Sequence, residues 1–113
     1  QAVMAEGKQI YISGQIGWDE TSTFQTDDFA EQAGQALRNI VSILAAANAG
    51  AEHITRLTWF ITDKQEYLAS LKSLGQKYRE EVGRHFPAMS VVEVKSLMED
   101  RAKVEIEATA VIP

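Results

Sequence analysis

The chain contains no cysteine, which excludes disulfides and thiol nucleophiles and suits a reducing compartment. Histidine is almost as scarce: His53 and His85 lie far apart and give no ligand spacing for a metal centre. Basic residues are outnumbered, 11 Lys and Arg against 16 Asp and Glu, for a net charge of −5. With no basic cluster anywhere, nucleic acid is not an expected partner. No apolar run approaches the roughly 20 residues of a membrane span. The start of the chain carries no charged-then-apolar leader, so a cytoplasmic location without membrane contact is expected. The chain starts at Gln1 rather than Met, and residues ahead of it are allowed for.

What is present is an ordinary globular mixture, 45% hydrophobic and 24% charged over 113 residues, which predicts a single domain spanning 1–113. Ile10, Ile12, Gly14 and Ile16 alternate with Gln9, Tyr11, Ser13 and Gln15, the spacing of a strand. Ala2 to Ala5, followed by Glu6-Gly7-Lys8, predicts a partner strand and a tight hairpin before it. Thr26, Asp27 and Asp28 offer capping oxygens to a helix whose apolar residues Phe29, Ala33, Leu37, Ile40, Val41 and Leu44 recur at helical spacing. Gly50 is the predicted left-handed stop.

Ile54 to Thr62 reads as a second strand region, rich in β-branched and aromatic residues. Asp63 with Glu66 resembles a capping box, and Leu68, Leu71, Leu74, Tyr78 and Val82 form the stripe of a second helix ending near Gly83. After Pro87 come two alternating runs, Phe86 to Val94 and Ala102 to Ala110, which hold Glu93, Glu105 and Glu107 on strand faces. The order is β-β-α-β-α-β-β, an α+β fold with two helices on one face of a mixed sheet.

Two helices cover one sheet face only. The covered set is read as Ile10, Ile12, Ile16, Val92, Val94, Val104, Ile106, Ala108 and Ala110. The other face would then carry Tyr11, Met89, Val91, Val111 and either Trp59 or Phe60. Burial of apolar surface is worth about 25 cal/mol per Å², so that second face predicts a homo-oligomer.

Several segments, in order and at matching spacing, resemble the Rid (reactive intermediate deaminase, YjgF-like) family. They are Ile12-Ser13-Gly14-Gln15-Ile16, Gln35 through Leu37-Arg38-Asn39, Ala49-Gly50, Phe86-Pro87-Ala88, and Val104-Glu105-Ile106-Glu107-Ala108. The resemblance implies a chorismate-mutase-like fold assembled as a homotrimer, with three sheets forming a central barrel and a small-molecule cleft at each subunit interface. It also implies hydrolysis of imines or enamines derived from amino acids, without metal or cofactor. In that scheme a glutamate on the last strand, here Glu105, holds the attacking water. Ser13 and Gly14 line the cleft.

The sequence departs from the pattern where an arginine follows Phe-Pro-Ala to clamp the substrate carboxylate: here the residue is Met89. Val91 stands where a cysteine is common and Met98 where a proline is common, and the family's N-terminal tyrosine has no counterpart from Gln1 onward. A thioether cannot donate a hydrogen bond to a carboxylate. Met89 and Val91 are therefore expected to line a more apolar cleft. The primary expectation is a divergent imine or enamine hydrolase with Glu105 catalytic and Ser13, Gly14, Met89 and Val91 binding substrate. The alternative is a non-catalytic trimer that binds a metabolite or a protein partner. The endoribonuclease activity ascribed to some relatives ranks below both, given the acidic charge.

Overall fold

The computed structural model describes residues 1–113. Four strands, β1 (Lys8–Ile16), β2 (Ile54–Ile61), β3 (Ala88–Glu93) and β4 (Val104–Ile112), form one sheet in the order β1-β4-β2-β3. β4 runs antiparallel to both neighbours, whereas β2 and β3 are parallel, so the sheet is mixed. Helix α1 (Phe29–Ala46) and the pair α2 (Lys64–Ala69) and α3 (Leu71–Glu81) lie on one face. No helix is long and apolar enough to cross a membrane.

The helix starts follow from their caps. Asp28 accepts a hydrogen bond from the Glu31 N–H at 2.9 Å, and Asp63 accepts from Gln65 and Glu66 N–H, which satisfies donors that a first helical turn leaves free. Glu93, at the end of β3, also accepts from the Lys64 N–H at 2.7 Å and so belongs to the α2 cap.

The core is built by two periodicities meeting. Val104, Ile106, Ala108 and Ala110 of β4 and Leu57, Trp59 and Ile61 of β2 point toward Phe29, Ala33, Leu37, Ile40 and Leu44 of α1, all buried. Each large side chain so buried contributes about 1.5–3 kcal/mol. Gln32 is the one fully buried polar side chain. Its amide donates to the Thr26 and Arg101 carbonyls and its oxygen accepts from the Lys103 N–H, stitching the β3–β4 connection to the start of α1.

Four expectations need correction. The predicted first strand is not formed: residues 1–6 pair with nothing, so the order is β-α-β-α-β-β with a split second helix. Gly7, at φ +146°, lies so close to the Ile112 carbonyl that a Cβ would overlap it, and the chain leaves the sheet there instead of doubling back.

The second helix breaks at Ser70, whose hydroxyl donates to the Glu66 carbonyl at 2.7 Å, and Leu68 and Leu71 remain exposed. The stop after α1 is Asn48 at φ +59°, not Gly50. The Ala49 N–H bonds the Leu44 carbonyl and the Asn48 N–H bonds that of Ala45, a Schellman closure.

Finally, β3 faces the opposite way from the reading above. Parallel register sets Met89 beside Leu57 and Val91 beside Trp59, both residues of the covered face, while Val92 lies beside Phe60 and is 43% exposed. The uncovered face therefore carries Tyr11, Phe60, Val92 and Val111 among Arg56, Thr58, Glu105, Glu107 and Thr109.

Candidate functional site

The first half of the candidate site is made by β1 and β4. Their register slips by one residue between Ile12 and Gln15, a bulge that falls on Ser13 and Gly14. A Cβ at Gly14 would overlap Glu105 Oε2, so the glutamate side chain lies against the glycine Cα. Glu105 belongs to the alternating outward set of β4, next to Phe60 of β2, and is half-buried. No protein donor satisfies its carboxylate. Lys103 is engaged with Glu66 at 2.9 Å, and Arg101 pairs with Asp27 at 3.0 Å and covers the Phe24 ring. A carboxylate without a protein donor is equipped to accept hydrogen bonds from water or from a ligand. Tyr11, Arg56, Thr58 and Glu107 line a shallow groove on the same face.

The second half lies on the other face of the sheet. Met89 and Val91 project from β3 beneath α3, where Leu71, Leu74, Tyr78 and Trp59 line an open cavity of about 250 Å³. Phe86 stacks on Tyr78 with ring centroids 5.6 Å apart. The Tyr78 hydroxyl donates to the His85 carbonyl, and burial pushes its pKa up to about 12. His85 is held in turn by a 2.7 Å contact between Nε2 and the Ile54 carbonyl. These bonds tie the Phe86-Pro87 corner to the end of α3 and fix where β3 begins. Arg84, beside them, is exposed and makes no ion pair.

One chain thus brings Ser13, Gly14 and Glu105 together, and separately Met89 with Val91, but the sheet stands between the two groups. Met98 is 94% exposed and joins neither. Trp18 packs on Phe24 with centroids 5.8 Å apart, and its carbonyl accepts from Asn39, which anchors the loop after β1. Sequence reasoning missed Arg79, Leu71 and Trp59 as cavity residues. A readable signal existed, since Leu71, Gly75 and Arg79 recur every fourth residue and mark one helix face with an arginine in it.

Comparison with known proteins agrees with this architecture. The family model described as endoribonuclease L-PSP matches residues 1–112. The 2-iminobutanoate/2-iminopropanoate deaminase of Homo sapiens is 33% identical over 112 residues, covering 98% of this chain and 77% of the human protein. The protein of the same name from Salmonella typhimurium is 35% identical over 105 residues, covering 93% and 80%. Among solved structures, a Rid-family protein of unknown function from Yersinia pestis superposes with a TM-score of 0.83 at 27% identity, covering 94% of this chain and 80% of that one. E. coli TdcF, crystallised with bound serine, gives 0.79 at 32% identity, covering 97% and 85%. Match over nearly the whole length, together with the shared sheet and helices, places the chain in the endoribonuclease L-PSP family, to which the YjgF-like Rid proteins belong.

Proposed function

We propose that the protein hydrolyses an imine or enamine, as the names of its deaminase relatives suggest, in clefts between subunits of a homotrimer. The observation that carries the reading is the Glu105 carboxylate, lying against Gly14 with no protein partner. Because Glu105 and the Met89–Val91 cavity lie on opposite faces of one sheet, a cleft containing both takes Glu105 from one copy and the cavity from another.

Glu105 accepts a proton from a water molecule as the water oxygen bonds to the imine carbon, and that proton is passed on to the imine nitrogen. The resulting carbinolamine collapses by breaking the C–N bond, its hydroxyl proton passing by way of the carboxylate to the departing nitrogen, which leaves as ammonia while the C–O bond becomes a carbonyl. Gly14, lacking a Cβ, leaves room for the carboxylate to lie flush with the strand. General-base help of this kind contributes roughly 10²–10⁴-fold. Met89 supplies no charge at its position, so the substrate's body near it is apolar, more so than that of 2-aminoacrylate.

The test generates imines in place with an amino-acid oxidase acting on leucine, phenylalanine and alanine, and follows their decay. Wild type should hasten decay most for the bulky imines, and Glu105→Gln should lose at least about 100-fold of that rate. No acceleration with any imine, in a protein that is folded and oligomeric, would leave a non-catalytic binding protein as the reading.

A further inference from the structure

We infer that Arg79 is the anion-recognition residue of the cavity beneath α3, and that this cavity takes a small ligand joining an apolar body to a single negative group. The inference deepens the proposed function, resting on the reading that Met89 and Val91 line the substrate cleft.

The cavity wall is almost wholly apolar, and Arg79 is the only charged side chain in it. Arg79 is also free. Arg38 is bound to Glu81 at 2.7 Å, Lys77 to Glu31 at 2.9 Å, and Arg101 and Lys103 to Asp27 and Glu66. The carboxylates nearest to Arg79 in sequence are committed elsewhere, Glu81 to Arg38 and Glu80 toward Lys77.

The side chain also leans toward the cavity. A Cβ built at Gly75, one turn earlier and itself in the cavity wall, would have Arg79 Nη1 as its nearest neighbour, at 3.5 Å. The guanidinium thus folds back over a glycine that leaves it room. A planar fork against an apolar wall favours a carboxylate, which it meets with two parallel hydrogen bonds.

The cavity wall also contains a buried donor. Trp59 is 3% exposed and forms part of the cavity wall, yet its indole Nε1–H is the one buried side-chain polar atom without a partner. Buried donors are nearly always satisfied, and leaving one unpaired is costly. The cavity holds about 250 Å³ and opens to solvent, which is room for a small ligand or for one end of a longer one. On this reading, Arg79 takes over the charge recognition that Met89 cannot supply. The preferred substrates are imines of bulky apolar amino acids, whose carboxylate is directed to α3.

Binding of 3-phenylpropanoate and of its uncharged isostere 3-phenylpropanamide to the full-length protein tests this directly, with the Trp59 indole N–H followed by NMR and affinities taken from the titration. Wild type should bind the acid about tenfold more tightly than the amide, the worth of one charge-assisted contact. Arg79→Gln should remove that preference by weakening the acid more than the amide, while Arg79→Lys restores part of it. Equal binding of acid and amide by wild type, no binding of either, or an Arg79→Gln variant that keeps the preference would each overturn the inference. Because the readout is binding, it is separate from turnover. Acid preference that depends on Arg79 without imine hydrolysis would sink the enzymatic reading alone, and hydrolysis indifferent to Arg79→Gln would sink this one alone.

Discussion

The two helical covers of the sheet treat it differently. Over β1 and β4, α1 presents Phe29, Leu37, Ile40 and Leu44 with at most 2% exposure, and nothing is left open. Over β2 and β3, α3 leans on α1 and stands off the strand at the edge. Leu71, Met89 and Val91 remain 51%, 39% and 37% exposed around a cavity. Both covers come from amphipathic sequence of similar appearance. The break at Ser70 and the missing side chain at Gly75 keep the second helix from filling its space. One half of the molecule serves as a packed support, and the other leaves apolar surface for something else to occupy.

Truncation should expose the contrast most strongly. Leu37→Ala removes a fully buried side chain from the α1 side and should cost about 2–5 kcal/mol, whereas Leu71→Ala on the cavity rim should cost under about 1 kcal/mol. Urea denaturation of both variants measures this, and similar losses would mean that the two covers are equally packed.

Tyr78 sits where the covers join, and Tyr78→Phe should cost about 1 kcal/mol at neutral pH by removing the bond to His85. The pH dependence carries a sign. An unfolded tyrosine gives up its proton near 10 while the native one holds it to about 12, so the folded state binds the extra proton between those values. Stability contributed by the neutral phenol is complete below pH 10 and drains away as pH rises toward 12. Tyr78→Phe should flatten that stretch of the stability curve, and an unchanged slope would contradict the burial of the hydroxyl.

The smallest stability effect should come from Gly75→Leu, and it should be favourable. A glycine inside a helix costs up to about 1 kcal/mol relative to a good helix former, and the new side chain has the cavity to grow into. The variant should melt at a slightly higher temperature and lose binding of 3-phenylpropanoate. A stabilised variant that still binds the acid would show that the ligand occupies another place.

Much of this architecture was legible from local pattern. The cap at Asp28, the α1 stripe and the alternation of β4 all appear where spacing put them, because each depends on residues within a turn or a pleat of one another. The hairpin before β1 was not legible, since a short apolar run followed by glycine looks the same whether Gly7 turns the chain back or crosses the end of β4. Nor was the orientation of β3. Its residues are apolar on both sides, so alternation offers no face to choose, and the expected face for Met89 and Val91 is the wrong one.

The candidate site divides along the same line. Serine, glycine and glutamate at positions 13, 14 and 105 could be picked out by their motifs, but their meeting at a bulge needed the register of two strands about ninety residues apart. Arg79 shares a helical spacing with Leu71 and Gly75, but its place in the cavity depends on how α3 lies over β3.

What the amino-acid sequence determined by itself is which residues alternate, which recur every third or fourth position, where helices begin, and which family the chain resembles. These are properties of near neighbours along the chain. Tertiary structure alone decided which face Met89 presents, which carboxylate lies against Gly14, and which arginine is left unpaired beside an apolar wall. Each of these depends on pairing between distant segments, where a shift of a single residue would turn every side chain to the other face.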